Sequence, residues 1–239
     1  TLRHTLFPYT TLFRSGRGVV SLAQVIGGEL EDLNKRRMEA EKLMRNFIRE
    51  NNLPAFPVVV VDKTFAEGLK ALLQSHGIGG IRPNTLLLGW SNDPDKQKTF
   101  STILSLAKKM EYSCLILHSH HKEETWNPPS GAINIWWTDA KNGPMMLLMG
   151  YLLKSNRAWR DCPLKILRPV APKADVENIK QEMHEMLTKG RIEAEIVVLP
   201  TEDELQALRN AMQPSAVLFA GCEPADEDPG GILLTFMKE

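Results

Sequence analysis

The chain has 239 residues, enough for one large hydrophobic core or two smaller ones, because single domains usually run to roughly 100–200 residues. Lys and Arg number 29 and Asp and Glu number 29, so the formal net charge is zero and no overall positive field attracts nucleic acid. The longest apolar runs, 58–61 and 145–153, fall short of the roughly 18–20 residues that cross a bilayer, so composition argues against nucleic-acid binding and against a membrane span.

Residues 1–15, TLRHTLFPYTTLFRS, lack the basic start, apolar centre and small-residue cleavage site of a signal peptide. They resemble a translated sequencing-adapter read-through, and we interpret them as an artefact that takes no part in the fold. On this interpretation the natural chain is cut just upstream of Gly16, and the sequence is a fragment of a longer protein.

The first half of the remaining chain alternates apolar runs with amphipathic stretches. The run 57–62 predicts a strand buried on both faces, as does 84–90. Thr64 followed by Glu67 has the spacing of a capping box and predicts a helix that continues to Ser75. The other predicted elements of this half are a first strand within 16–26, helices over 29–51 and 95–110, and a strand over 114–118.

The second half repeats this alternation. Strands are predicted over 133–138, 164–167, 196–199 and 216–220, and helices over 144–156, 173–189 and 202–212. A last run, 232–236, predicts an edge strand. Strands that alternate with helices need crossover connections, which build a parallel sheet covered by helices. The sequence therefore predicts an α/β fold of two Rossmann-like halves, 16–130 and 131–239, with mainly parallel sheets.

A ligand crevice is predicted beyond the strands at 58–61 and 86–88, because open parallel sheets bind ligands outside the carboxyl ends of their strands. Lys63, Gly89 and Trp90 would line it, and a nucleotide is the ligand class that this rule favours. The alternative is a lysine that is only solvated at a strand end.

Other motifs give weaker evidence for a binding or catalytic site. His118, His120 and His121 with Glu123 and Glu124 are the densest set of metal-ligand side chains, but they lack Cys-x-x-Cys or helical His spacing, so we expect no metal site. Glycines near 77–80 follow a helix and match no Walker or dinucleotide pattern. No Gly-x-Ser-x-Gly elbow or other catalytic constellation occurs, so we expect a protein that is not an enzyme.

Trp136 and Trp137 are adjacent in a predicted strand, so their rings point to opposite faces. At least one must pack on a covering helix or on a partner. Core packing is the default for both rings, and an interface with a partner is the functional role that we predict for the pair. The three cysteines, Cys114, Cys162 and Cys222, are odd in number and lie in or beside apolar runs, which is typical of core thiols in a reducing compartment.

Two segments together carry a family resemblance. They are GLKALLQSHGIGGIRPNTLLLGW, residues 68–90, and GAINIWWTDAKNGPMMLLMGYLLKSNRAWRDCPLKIL, residues 131–167. A Gly-rich turn, Pro-Asn-Thr, a Leu-Gly-Trp strand, an Ile-x-x-Trp-Trp strand, a Leu-rich helix and a Cys-bearing strand follow in order. The chain after Gly16 resembles the C-terminal cytosolic domain of cation–chloride cotransporters, which belong to the amino-acid–polyamine–organocation superfamily.

The resemblance implies two Rossmann-like halves of the universal-stress-protein type, and a domain at the cytoplasmic face of the membrane that regulates and dimerises a cotransporter of sodium or potassium with chloride. Its partners would be its own transmembrane domain and a second copy. The ion-carrying residues would lie upstream. Some members bind ATP as a regulatory ligand, and the matching residues here are Asp62, Lys63, Gly89 and Trp90; no cofactor is required.

This sequence departs from the family pattern in two ways, and both limit which family properties can be expected of it. Lys141-Asn142-Gly143 stands where the family has Asp-Gly-Gly, and the long regulatory insertion of animal members is absent, which points to a microbial relative and leaves the transported solute open. The alternative is a free-standing nucleotide-binding protein of the universal-stress type. Its glycine signature is Gly-x-x-Gly, nine residues, then Gly-Ser or Gly-Thr; counted from Gly77 and Gly80, the third glycine falls on Trp90, one place after Gly89.

Overall fold

Parallel strands alternate with helices throughout the part of the chain that the computed structural model describes, which is residues 19–77, 82–90, 94–118, 130–138, 141–212 and 215–221. These residues divide into two units, the first within Arg17–Lys122 and the second within Glu123–Cys222. The α/β prediction is confirmed. The predicted boundary between 130 and 131 stays a prediction, and residues 1–15 and the strand predicted at 232–236 lie outside the described residues.

The first unit contains two parallel ladders. Strand β1 pairs with β2 from Val20 opposite Ala55 to Gly27 opposite Asp62, and β3 pairs with β4 from Thr85 opposite Ser113 to Gly89 opposite Leu117. The elements in chain order are β1 Val20–Gly27, α1 Leu30–Glu50, β2 Ala55–Asp62, α2 Phe65–Ser75, β3 Thr85–Gly89, α3 Pro94–Lys109 and β4 Ser113–Leu117.

Helix α2 begins at the predicted capping box. The amide of Glu67 donates to Oγ1 of Thr64 at 3.2 Å, and that hydroxyl donates to Oε2 of Glu67 at 2.9 Å. One turn into the helix, a Cβ on Gly68 would lie 2.5 Å from Cγ1 of Val25 and 3.2 Å from Cβ of Asp62. Glycine at residue 68 therefore lets α2 lie close to both strands of the first ladder.

The core of this unit lies between α2, α3 and the β3–β4 ladder. Leu69, Leu73 and Ile103 are buried, and the hydroxyl of Tyr112 donates to the carbonyl of Leu73 at 2.9 Å. Other half-buried side chains packed on this cluster are Leu72, Leu86, Leu88, Leu106 and Met110.

The predicted burial of β2 and β3 on both faces is wrong. Their residues are half-buried or exposed, and Phe56 of β2 is 53% exposed. Strand β2 has one hydrogen-bonded neighbour, β1, among the described strands, and it contains Pro57, a residue that sheets accept at their edges. An apolar run alone does not reveal how many neighbours a strand has.

The second unit is a four-stranded parallel sheet in the order β7-β6-β5-β8. Helices α4 and α5 cover one face and α6 covers the other, as right-handed crossovers require for this strand order. The elements are β5 Ala132–Trp136, α4 Gly143–Lys154, β6 Leu164–Val170, α5 Val176–Gly190, β7 Glu195–Pro200, α6 Glu204–Met212 and β8 Ser215–Ala220, with a 3-10 turn at Arg157–Trp159.

Strand β5 is the centre of this unit. All five of its residues are buried, and Ile133 and Ile135 have no exposed surface. Its polar residue Asn134 is 7% exposed and donates from Nδ2 to the carbonyl of Ala211 at 3.2 Å, which ties the end of α6 to the sheet. The strand predicted over 133–138 is present and runs from Ala132 to Trp136.

No helix among the described residues is both long enough and apolar enough to cross a membrane.

Candidate functional site at the strand ends

The carboxyl end of β2 carries Asp62 and Lys63, two of the residues predicted to bind a nucleotide. The carbonyl of Asp62 accepts from the amide of Gly28 at 2.8 Å, and its Oδ1 accepts from the amide of Lys63 at 2.8 Å. Gly28 has φ 139°, a conformation that glycine adopts without strain. The Lys63 side chain is exposed. The strand end is therefore held by its own backbone, and the exposed Lys63 follows it close to Gly27 and Gly28.

The carboxyl end of β3 carries Gly89 and Trp90. The amide of Trp90 donates to the carbonyl of Leu117 at 2.7 Å, which extends the β3–β4 ladder by one bond. The half-buried ring of Trp90 packs on Phe100 of α3, with centroids 5.2 Å apart and planes at 58°. This tilted aromatic pair fixes the ring against the covering helix.

These four residues lie at the carboxyl ends of parallel strands, as predicted, but in two separate ladders. Asp62 ends β2, and Gly89 ends β3, and the described residues contain no ladder that joins β2 to β3. The nucleotide site therefore stays a prediction.

The strand order of the second unit creates a topological switch point at the carboxyl ends of its strands. From β5 the chain adds β6 and then β7 on one side, and it then crosses back to add β8 on the other side of β5. The position between β5 and β8 is therefore the switch point, where open α/β sheets bind ligands. Trp137 and Thr138 follow β5, Gly221 follows β8, and the first turn of α4 begins at Gly143.

Side chains and backbone of the chain itself fill the space at this switch point. A Cβ on Gly143 would lie 2.5 Å from Cζ2 of the Trp137 ring, and a Cβ on Gly221 would lie 2.6 Å from Cβ of Asn142. Trp137 is 7% exposed. The space beside the first turn of α4, where a phosphate would approach the helix amides, is therefore taken by indole and by the loop before α4.

Arg168 of β6 holds the same loop from the neighbouring strand. Its Nη1 donates to the carbonyl of Trp137 at 2.9 Å and also to the carbonyl of Thr138, while the amide of Trp137 donates to the carbonyl of Leu167 at 2.9 Å. A half-buried guanidinium that serves two backbone carbonyls rigidifies the chain just after β5. Among the residues that the structure describes, the strand end of the second unit is thus closed and fixed.

The two tryptophans face opposite sides of the sheet, as predicted from their adjacency. Trp137 packs in the cluster that includes Met146 and Leu164, and Trp136 packs with Leu167 and Leu208 on the other face. Trp136 is 4% exposed, so either ring has little surface left for a partner. Core packing accounts for both rings, and the interface role predicted for them is not tested by a single chain.

The histidine cluster is only partly described. His118 directly follows β4, whereas His120, His121, Glu123 and Glu124 lie outside the described residues. Within the described ranges no three His, Cys, Asp or Glu side chains group as metal ligands. The expectation of no metal site therefore stays a prediction.

The two described cysteines are poor nucleophiles. Burial raises the pKa of the Cys114 thiol to about 11. Burial, with a smaller contribution from the charge of Asp161, also raises the pKa of Cys162. Because the thiolate is the reactive form, both thiols stay protonated at neutral pH.

Three residues that organise the second unit were missed from the sequence. Arg168 interrupts the apolar run of β6, and Asn134 interrupts that of β5. A polar side chain inside a buried strand must find partners, so both positions carried a usable signal. The sequence gives no such indication for Gly143. Glycine is required there because the ring of Trp137 occupies the place of a side chain, and the two residues meet only in the folded chain.

The fold is similar to that of a solved universal stress protein from Archaeoglobus fulgidus DSM 4304. The two share 12% sequence identity with a TM-score of 0.52, and the match covers 90% of this chain and 81% of the other. At this identity the likeness shows the fold. A family model described as Solute carrier family 12 matches residues 3–124 and 120–213. Because that match runs through both α/β units, the chain belongs to solute carrier family 12, the cation–chloride cotransporter family.

Proposed function

We propose that this chain is the cytosolic regulatory and dimerisation domain of a cation–chloride cotransporter. The observation that carries the proposal is the family match, which extends through both α/β units and therefore through most of the described structure. The partner within the protein would be a transmembrane domain that moves the ions, and the partner between proteins would be a second copy of this domain.

The closed strand end of the second unit supports a role in contacts over a role in catalysis. A ligand at that switch point would have to displace the buried ring of Trp137 and the loop held by Arg168. Each displacement costs free energy, because the ring loses its buried packing and the loop loses the charge-assisted hydrogen bonds from Arg168. The second unit therefore suits the role of a rigid body that passes a change of position on to the transmembrane domain, as a regulatory domain must.

The first unit is the better place for a regulatory ligand. Its strand end pairs an exposed cation, Lys63, with two glycines, Gly27 and Gly28, that precede the first turn of α1. Backbone amides at such a turn and a lysine are the groups that bind phosphate. We infer that ATP binds here as a regulator and that its occupancy biases transport, which requires different affinities in two states of the transporter.

A flux experiment tests the transport role. The transmembrane part of a cation–chloride cotransporter that lacks its own cytosolic domain is placed in liposomes, and chloride-dependent rubidium uptake is measured as the purified chain is added. We expect saturable change in the uptake rate. A rubidium uptake rate that stays the same at every concentration of the added chain would contradict a regulatory role.

Calorimetry tests the ligand. ATP is titrated into the chain and into Lys63→Ala, with Lys70→Ala as the matched control, because Lys70 is an exposed lysine of α2 in the same unit. We expect saturable binding that weakens about tenfold or more in Lys63→Ala, which corresponds to about 1.4 kcal/mol, and is unchanged in Lys70→Ala. Equal binding by all three proteins would place the nucleotide elsewhere or make it nonspecific.

A free-standing nucleotide-binding protein is the second candidate. The similarity to the fold of a universal stress protein over 90% of this chain favours it. The two functions separate in the experiments above: nucleotide binding without any effect on flux supports the free-standing protein, whereas an effect on flux supports the transporter domain.

A further inference from the structure

Strands β1 and β3 of the first unit each have one open edge. Strand β1 is hydrogen-bonded to β2 and β3 is hydrogen-bonded to β4, and among the described residues neither has a neighbour on its other side. The backbone N–H and C=O groups of a strand need hydrogen-bond partners, and an unpaired edge accepts another strand. The described part of the first unit therefore contains two portions of a sheet with no strand that joins them.

The open edges of β1 and β3 face each other. Right-handed crossovers relate the side on which a strand is added to the face on which its helix packs. Helix α2 packs on β1, since a Cβ on Gly68 would lie 2.5 Å from Cγ1 of Val25, and α2 shares a cluster with α3 through Leu69 and Ile103. Because α2 and α3 lie on the same face, β3 and then β4 are added in one direction, back across β1. The order is therefore β2-β1 followed by β3-β4.

Helix α2 lies over the space between these two edges. His76, the residue that follows α2, has Nε2 2.6 Å from Oγ of Ser21 in β1, and the cluster that contains Leu69 of α2 also includes Leu86 and Leu88 of β3. An α-helix is about 10 Å wide and neighbouring strands are about 4.8 Å apart, so one helix covers about two strand spacings. The space between β1 and β3 therefore fits one strand, and we call it the central position.

The second unit has a strand at the equivalent place. In the order β7-β6-β5-β8, strand β5 lies where the central position lies between β2-β1 and β3-β4. Helix α6 packs over β5 as α2 lies over the central position: Trp136 of β5 and Leu167 of β6 are buried in one cluster with Leu208 of α6. The two units therefore share one strand arrangement, and the described part of the first unit lacks its centre.

The burial of the apolar strands agrees with an unfilled central position. All five residues of β5 are buried, whereas Ile26 is the one buried residue of β1 and β3 contains none. Leu87 of β3 is 37% exposed. In β1, Oε1 of Gln24 is shielded from solvent and has no hydrogen-bond donor among the described residues. Buried acceptors are normally paired, so this atom points to a neighbouring segment that supplies the donor.

We propose that the central position holds a strand contributed by the segment of the same polypeptide that precedes β1. In the second unit, β5 is the first strand in chain order and is followed by α4, and it begins at Ala132, 32 residues before β6 begins at Leu164. The equivalent strand of the first unit would therefore begin about 30 residues before Val20, ahead of Thr1, and a helix would connect it to β1. It would be parallel to its neighbours, about five residues long like β3 and β5, and apolar on both faces.

Two other sources of a strand fit the central position less well. The strand predicted at 232–236 follows β8 in the chain, whereas consecutive elements of α/β sheets usually lie side by side. A strand taken from a second copy of the chain would open an equal gap in the sheet that loses it, because each described strand already has a place in its own ladder. The segment before β1 reaches the central position by a single crossover.

The central strand would also complete the nucleotide site proposed above. The carboxyl ends of parallel neighbours lie at one edge of a sheet, so the end of this strand would lie between Gly27 of β1 and Gly89 of β3. The chain leaves the strand for β1 on one side and returns to β3 on the other, which makes this end the switch point of the first unit. Lys63 and Trp90 would then border one crevice. The nucleotide site rests on the proposed function, whereas the strand rests on the open edges alone.

Photo-cross-linking in the whole transporter tests the source of the strand. Leu87 of β3, which is 37% exposed, is replaced by p-benzoylphenylalanine, and Leu205 of α6, which is 44% exposed, is replaced in the control. After illumination, mass spectrometry identifies the attached peptide. We expect the group at residue 87 to attach to an uncharged apolar run about 30 residues before Val20, and the control to attach elsewhere. Attachment to 232–236, or to a peptide of an isotopically distinct second copy, would overturn the proposal.

Hydrogen exchange measures whether the open edges become paired. This chain is compared with a longer one that starts before the proposed strand. Alternate residues of a parallel strand bond to opposite neighbours, so about half of the amides of β1 and β3 should exchange at least about tenfold more slowly in the longer chain. Strand β6, which has neighbours on both sides in each chain, is the control and should not change. Equal exchange of β1 and β3 in the two chains would show that the central position stays empty.

ATP titration separates the strand from the nucleotide site. We expect the longer chain to bind ATP at least about tenfold more tightly than the shorter one, because only the longer chain contains the complete switch point. Slower exchange of β1 and β3 without this gain would confirm the strand and remove it from the nucleotide site. ATP binding by neither chain would contradict the proposed ATP site and leave the strand to the cross-linking result.

Discussion

The ring of Trp137 occupies the space in which a side chain at Gly143 would lie. The distance from a Cβ at residue 143 to the ring atoms Cζ2, Cε2 and Cη2 would be 2.5 to 2.6 Å, well inside van der Waals contact. Both residues are buried, so neither can move toward solvent without opening the core. The start of α4 and the end of β5 are therefore fitted to each other.

The first prediction follows from this contact. Gly143→Ala should destabilise the second unit by about 1–3 kcal/mol, because overpacking a well-filled site forces shifts of backbone or ring. Urea unfolding followed by tryptophan fluorescence measures the change. Gly190→Ala is the control: its Cβ would meet Ile192 at an ordinary 3.6 Å, and the structure gives it no strained φ. A Gly143→Ala variant as stable as Gly190→Ala would contradict the fit of helix to ring.

The second prediction concerns Arg168. Arg168→Met removes the donor to the carbonyls of Trp137 and Thr138 and should cost about 1.5–3 kcal/mol, the range for hydrogen bonds that involve a charged group. Lys165→Met, on the same strand, removes a salt bridge of 2.8 Å to Glu195. That bridge is partly exposed to solvent, and its loss should cost less than about 1 kcal/mol.

The two β6 variants are compared by urea unfolding under the same conditions. The free-energy losses should differ clearly, and Arg168→Met should also raise the susceptibility of the loop after Trp137 to proteolysis. Equal losses in the two variants would show that Arg168 acts as a surface charge and does not fix the end of β5.

The third prediction concerns the start of α2, the helix that follows the strand end of the first unit. Thr64→Ala should lower the free energy of unfolding of this unit by about 0.5–2 kcal/mol, the usual cost of losing an N-cap oxygen. Thr188→Ala provides the matched control, because its hydroxyl bonds to the carbonyl of His184 inside α5 and caps no helix start. Hydrogen exchange of the amide of Glu67 localises the effect, and an unchanged rate in Thr64→Ala would argue against the cap.

The order and type of the elements were predictable because their signals are local. A capping box, an apolar run and a proline in the first turn of α4 each act within a few residues, and Thr64, Glu67 and Pro144 occupy their predicted roles. The opposite directions of Trp136 and Trp137 followed from the two-residue period of a strand. These features need no knowledge of distant parts of the chain.

The closure of the strand end in the second unit was not predictable in the same way. It depends on Arg168, which is 31 residues from Trp137, and on Gly221, which follows the neighbouring strand β8 and lies against Asn142. The half-burial of β2 likewise depends on its number of neighbours. The exposure of Leu148 and Tyr151 on α4 was also hidden, since an apolar run shows that a helix is buried but not on which side.

The last prediction concerns Cys114 and its pH dependence. Burial raises the pKa of this thiol from 9.0 to about 11, so the folded state favours the protonated form. The resulting contribution to stability is complete below pH 9, where the thiol is protonated in both states, and is lost as the pH rises from 9 through 11. Cys114→Ala should therefore show a smaller loss of stability over that interval than the wild-type chain, although its stability at pH 7 is lower.

Alkylation tests the same property without unfolding the protein. At pH 8 iodoacetamide should modify Cys114 at least about tenfold more slowly in the native chain than in urea, because the thiolate is the reacting species and the folded state suppresses it. Peptide mapping by mass spectrometry separates Cys114 from the other cysteines. Native and unfolded chains that react at the same rate would show that β4 opens readily, and the wild-type and Cys114→Ala stability curves would then run parallel between pH 9 and 11.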